Sequence, residues 1–282
     1  MKYTDFEKIV FDGVYDFNTV HIFECGQCFR WIKEDADDNS ENPAYTGVAG
    51  RYAARVSYED GRLTIEASGG DREFWSKYFD LSTDYGKIKD KLVNKEAGIE
   101  PATEHGYGIR ILNQDLFETI ISFIVSQNNN IPRIRKCIEA LCSRYGERIA
   151  DIEGRAVYAF PEAEALASAE VEDIASLRLG YRSAYIKESA REYLECDLPS
   201  CREDLLKMHG IGPKVANCIM LFGLRDVEAF PLDTWVRHIM NDMYGLDEKD
   251  DKGMYETARD RFGEYAGYAQ QYLFYYYRDN GK

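Results

Sequence analysis

The chain has 282 residues, of which 45% are hydrophobic and 30% charged, and its formal net charge is −15. That length accommodates two domains, each with its own core. No run of about 18 apolar residues is present to span a membrane, and the opening MKYTDFEKIVFDGVYDF lacks the apolar stretch of a secretory signal. Seven cysteines, an odd number in a chain with no export signal, fit reduced thiols in a cytoplasm. The acidic excess excludes nucleic-acid binding only if it is evenly spread, because phosphate binding needs local cations rather than a basic average. It is not even. Acidic residues concentrate at 34–41, 162–173 and 242–251, whereas 110–148 carries six basic and four acidic residues.

The first hundred residues read as mostly β. Short strands are expected at 21–23 and 29–31, with 45–48 able to pair nearby. Asp60-Gly61, between the alternating runs YAARVSYE and RLTIEAS, is the strongest hairpin signal in the chain. Residues 34–42 read as a loop between strands and 73–79 as a short helix. Cys25 and Cys28 form a CGQC motif. A zinc half-site or a redox pair is conceivable, but no second such pair accompanies it and its surroundings read as strand.

From about residue 113 the period becomes helical. In QDLFETIISFIVSQ the apolar face is Leu116, Phe117, Ile120, Ile121, Ile124 and Val125. In IPRIRKCIEALCSRYG it is Ile134, Cys137, Ile138, Leu141 and Tyr145, with Gly146 as the stop. Further helices are expected at 162–169, 171–177, 183–195, 202–208 and 234–243, and a last aromatic-rich one at 255–278. The fold class is therefore α+β: an N-terminal antiparallel β-sheet domain at 1–105, followed by an all-helical domain at 106–282.

The most informative stretch is 208–237, MHGIGPKVANCIMLFGLRDVEAFPLDTWVR. Gly210 and Gly212 permit a tight hairpin with uncovered backbone N–H groups, and Pro213 suits a first helical turn. Helix-start amides make a ready phosphate site. Lys214 stands where the helix dipole disfavours a cation, which suits an amine that must at times be neutral. Asp233 follows Pro231 and opens the next helix, where its simplest role is an N-cap.

This arrangement resembles the helix-hairpin-helix, Gly/Pro-rich loop and aspartate signature of base-excision DNA glycosylases. Five further stretches, CGQCFRW at 25–31, YFDLSTDY at 78–85, SQNNNIPRI at 126–134, LGYRSAYI at 179–186 and GYAQQYLF at 267–274, are similar in order to the 8-oxoguanine DNA glycosylase family. The resemblance implies a bifunctional glycosylase and lyase acting, as a monomer, on duplex DNA containing oxidised guanine; the absence of targeting signals favours a prokaryotic cytoplasm. Lys214 would attack the sugar C1′ and form a Schiff base, with desolvation and the helix start favouring its neutral form. Asp233 would stabilise the cationic sugar. The Gly26 carbonyl would accept from the N7–H that marks the lesion, Gln270 would bond the Watson–Crick edge, and Phe274 and Cys218 would cover the two faces of the base. Tyr181 would wedge into the stack, while Asn128, Arg133 and Arg182 contact the widowed base and favour cytosine there.

No metal or cofactor is implied. The iron–sulfur cluster of some relatives needs four cysteines after the aspartate helix, and none follows Cys218. Two positions depart from the family pattern. Trp235 stands where many relatives have histidine and can donate to a phosphate but not titrate, and His209 stands where the hairpin often has proline. The alternatives are a glycosylase for alkylated bases, against which Lys214 argues, and a non-catalytic helix-hairpin-helix DNA-binding module, which would need neither Lys214 nor Asp233.

Overall fold

The computed structural model describes residues 6–34, 41–152 and 154–280. Most of the expected 34–42 loop thus lies outside the described residues. Five antiparallel strands, β1 (Glu7–Asp12), β2 (Trp31–Lys33), β3 (Tyr45–Ala49), β4 (Tyr52–Glu59) and β5 (Arg62–Ala67), form one sheet in the order β1-β5-β4-β3-β2. The β4–β5 hairpin turns at Asp60 (φ 46°) and Gly61 (φ 79°), both in the left-handed region that a two-residue turn of this kind requires.

The expected strand at 21–23 is absent. Those residues end a short helix, α1 (Thr19–Phe23), because Asn18 caps it: its side-chain oxygen accepts from the His21 N–H at 3.1 Å. Strand β2 also begins two residues later than expected, at Trp31.

Helices α2 (Arg72–Tyr78), α3 (Tyr85–Lys95) and α4 (Glu100–His105) lead into α5 (Leu116–Ser126) and α6 (Ile131–Tyr145). Asp71, Asp84, Asp115 and Asn130 each cap the helix that follows. A small hairpin, β6 (Arg148–Ile152) and β7 (Arg155–Tyr158), precedes α7 (Ala163–Ser168), α8 (Val171–Ile174) and α9 (Arg182–Glu195). The expected helix at 171–177 breaks after Ile174 into a wide turn, Ala175–Leu179, in which Arg178 has φ 67°. Then come α10 (Arg202–Leu205), shorter than expected, α11 (Pro213–Phe222), α12 (Thr234–Tyr244), α13 (Asp251–Phe262) and α14 (Ala266–Asn280). The last two were expected as one helix, but Gly263 at φ 56° ends the first and a 3₁₀ turn, Gly263–Tyr265, redirects the chain.

Two apolar cores result. One, under the sheet, holds Phe17, Phe23, Trp31, Tyr45, Leu63, Trp75 and Phe79. The other is helical and includes α5, α11 and α14 side chains, and it also takes in Tyr85, Ile88, Leu92 and Ile99 from upstream. The CGQC motif straddles them: Cys25 belongs to the helical core and Cys28 to the sheet core. No helix among the described residues is long and apolar enough to cross a membrane.

Candidate active site

The hairpin between α10 and α11 is held from three sides. Gly210 has φ 76°, and a Cβ there would lie 2.5 Å from Cγ of Tyr185 on α9, so both backbone and space require glycine. The Gln127 amide donates to the Gly210 carbonyl at 2.8 Å. The Ser189 hydroxyl donates to the His209 carbonyl at 2.7 Å, and the Glu192 carboxylate accepts from the His209 N–H at 2.8 Å. Gly212, the N-cap of α11, has nothing within 4 Å of its Cβ position.

Lys214 and Asp233 stand at the starts of successive helices. The Lys214 amine is partly buried, 5.5 Å from the Phe123 ring centroid. Burial opposes its charge, but the Cys218 thiol, one turn along α11, and the Asp233 carboxylate outweigh that effect, so the amine is held above the ordinary lysine value. Desolvation thus works toward the neutral amine, as expected from the sequence, and these two neighbours work against it. Asp233 caps α12, accepting from the Val236 N–H at 2.8 Å. Burial raises its carboxyl above the usual value despite that bond and the nearby Lys214.

The candidate base-binding residues sit on the CGQC loop, α11 and α14. Gly26 has φ 82°, and its Cβ position lies 3.5 Å from the Phe274 ring. Gln270 and Phe274 lie one turn apart on α14; Gln270 is buried and accepts from the Gln271 amide at 2.7 Å. Two residues that sequence reasoning missed fix this geometry. Gln27 is buried, donating to the carbonyls of Ile22 and Arg110 and accepting from the Leu112 N–H. Arg278 donates to the Glu24 carbonyl and so clips the loop to α14. The only signal for Gln27 was its place between two cysteines. Burial pushes the Cys25 thiol to about 11 and Cys28 well up, so neither is a thiolate at neutral pH. Phe29, just after the motif, packs edge-on against Phe123 at 5.7 Å, linking the CGQC loop to the floor beneath Lys214.

A second group lies beside the hairpin. Tyr181 is 52% exposed, and its hydroxyl is 3.4 Å from the Asn128 amide. Asn128 has φ 46°, an uncommon backbone state that places its side chain at the tip of the α5–α6 loop. Arg133 is exposed and reaches the Arg178 carbonyl at 3.4 Å. Arg182 does not join them. It is 5% exposed and spends its guanidinium on the carbonyls of Gln127, Asn128 and Leu179. In this arrangement it fixes the loop that carries Asn128. Trp235, 41% exposed, stands on the first turn of α12. A cleft of about 650 Å³ opens on the Asn217 and Met220 face of α11, and Lys214 does not line it.

Residues 10–120 match the family model for the N-terminal domain of 8-oxoguanine DNA glycosylase, and 121–264 match the HhH-GPD superfamily of base excision DNA repair proteins. The probable N-glycosylase/DNA lyase of Methanothermobacter thermautotrophicus is 33% identical over 232 residues, 72% of each chain. The structure of MBOgg1 with a low-affinity DNA ligand is similar with a TM-score of 0.90 and 39% identity, over 98% of this chain and 96% of that one. So is Clostridium acetobutylicum 8-oxoguanine glycosylase/lyase bound to duplex DNA with cytosine opposite 8-oxoguanine: TM-score 0.89, 35% identity, 99% and 100% coverage.

Proposed function

The chain belongs to the 8-oxoguanine DNA glycosylase family of the helix-hairpin-helix superfamily, and from that premise we propose that it excises flipped-out 8-oxoguanine from duplex DNA through a Schiff base on Lys214, then nicks the strand, with cytosine preferred opposite the lesion. The observation that carries the reading is the pair of helix starts: Lys214 stands on the first turn of α11 with its amine over the Phe123 ring, and Asp233 is the N-cap of α12.

The Lys214 ammonium first gives up a proton, and the further burial imposed by an engaged sugar works in that direction. The amine then bonds to C1′ as the glycosidic bond breaks. The electron pair leaves with the base, which takes up the proton that the lysine nitrogen sheds as it bonds to C1′. Asp233 faces the positive charge that develops on the sugar, where a preorganised carboxylate in a dry site stabilises it most. Opening of the sugar ring gives the Schiff base, whose electron demand at C1′ permits loss of a C2′ proton and elimination of the 3′ phosphate.

The Gly26 carbonyl accepts from the lesion's N7–H, which guanine lacks; guanine would leave that acceptor unpaired. Gln270 bonds the Watson–Crick edge, and Phe274 and Cys218 sandwich the ring. Gly210 and Gly212 offer hairpin amides to a phosphate of the lesion strand, with Trp235 beside them. Tyr181 fills the gap left by the flipped nucleotide, and Asn128, Arg133 and Arg182 take the widowed base, Arg182 by exchanging loop carbonyls for base acceptors.

Borohydride trapping on a duplex with one 8-oxoguanine opposite cytosine tests this. The unmutated protein should become covalently linked to DNA, and Lys214→Gln should bind the duplex but show neither trapping nor base release. Substantial base release by Lys214→Gln would make water the nucleophile and overturn the reading.

A further inference from the structure

A groove of about 600 Å³ runs between the first turns of α6 and the wide turn before α9. Its lining includes Arg133, Lys136 and Arg178 and no carboxylate, in a chain whose formal net charge is −15. Arg133 and Lys136 are three apart on α6 and therefore share a face. Among the described residues neither the Lys136 amine nor the Arg178 guanidinium has a hydrogen-bond or ion-pair partner, whereas Arg51, Arg55, Arg62, Arg135, Arg191 and Arg237 are all paired with carboxylates.

Arg178 is also held in a conformation that argues for its side chain. Its φ of 67° suits glycine, and Gly180, two residues on, has φ 57°. A turn alone would be relieved of strain by glycine at 178. The Arg178 carbonyl accepts from Arg133, so the same residue that supplies a cation to the groove also aims its neighbour. Two residues that line the groove, Asn130 and Arg178, lie close in the chain to Asn128 and Tyr181, which bond each other and face the gap in the stack under the proposed function.

We infer that this groove binds the phosphate backbone of the strand opposite the lesion, with Lys136 and Arg178 as its phosphate donors and Arg133 left to the widowed base. Three convergent cations without a carboxylate fit a polyanion, and a guanidinium matches a phosphate with two parallel donors. The inference rests on the proposed function, since it needs Tyr181 and Asn128 to mark where the duplex is opened.

The test is the salt dependence of binding to a duplex with 8-oxoguanine opposite cytosine. Removing one phosphate-binding cation should flatten the slope of log K against log salt by about 0.9. Lys136→Gln and Arg178→Gly should each flatten it by about that amount, the pair by about twice as much, and Arg178→Lys should keep most of the original slope. Glycine fits φ 67°, so Arg178→Gly is not expected to unfold. Neutral methylphosphonate linkages in the opposite strand near the lesion should flatten the slope of the unmutated protein and erase its difference from the double variant; the same linkages in the lesion strand should preserve that difference. A double variant with an unchanged slope overturns the groove assignment, as does a difference erased only by lesion-strand linkages. An unmutated protein that neither traps nor releases base overturns the proposed function instead, whatever its slope.

Discussion

Asp233 does two things with one carboxylate: it caps α12 through the Val236 N–H and faces Lys214. Asparagine caps a helix about as well as aspartate, so the two roles separate. Asp233→Asn should leave thermal stability within about 0.5 kcal/mol and slow single-turnover base release by at least tenfold, because its charge matters most as the sugar becomes cationic. A melting temperature that falls while turnover per folded molecule stays normal would leave only the cap. Arg133 is exposed, whereas Arg182 is buried on loop carbonyls. Cytosine offers O2 and N3 as acceptors, and one good hydrogen-bonded pairing is worth roughly 1–3 kcal/mol of discrimination. Arg133→Met should therefore narrow the preference for cytosine about 5-fold or more in single-turnover assays of the four opposite bases. Equal rates on cytosine and adenine duplexes for the unmutated protein would remove this role. Motif and spacing made Lys214, Asp233, Asn128 and Tyr181 legible as candidates. They did not reveal that Arg182 is buried on the carbonyls of Gln127 and Asn128, which lie 55 and 54 residues away along the chain.

The hairpin depends on two glycines that are not equivalent. Gly210→Ala must adopt φ 76° and drive its Cβ into Tyr185, which together should cost at least about 2 kcal/mol, while Gly212→Ala has open space and a permitted φ of −92° and should cost less than about 1. Chemical denaturation of both variants checks the contrast, and equal losses would refute it. Helices α5, α6, α11 and α12 were readable from sequence because each is at least ten residues long and shows periodicity, a cap, or both. Helix α1 is five residues long, too short for a period to show, and its apolar run looked like strand. The separation of α13 from α14 turns on one glycine inside an otherwise continuous aromatic-rich pattern. The β6–β7 hairpin has only partly buried or exposed residues, so no alternating apolar face announced it.

At the scale of the whole molecule, the sheet domain and the helical domain meet around buried polar side chains. His21 of α1 accepts from the Gly108 N–H at 3.2 Å and packs against Tyr107 and, from α14, Tyr275. Burial, helped by His105, lowers its pKa from 6.5 to about 4. Folding thus favours the neutral ring: the stability it contributes is complete above pH 6.5 and is lost as the pH falls toward 4, by up to about 3 kcal/mol. His21→Gln should flatten the pH dependence of denaturation across that window, and identical slopes for the two proteins would disprove it. The two-domain order and the change from strands to helices were legible in the sequence; the seam was not, because Gln27, His21 and Arg278 reveal their partners only after folding. Gln127 joins both sides of the site in another way. Its amide holds the hairpin at Gly210, and its carbonyl receives Arg182, beside Asn128. The jaw that would grip the damaged strand and the finger that would probe its complement therefore hang from one rivet. Under the proposed function such a tool would behave as a calliper: it would register a gap only when both arms seat together, and a half-opened pair in undamaged DNA would give it little to hold.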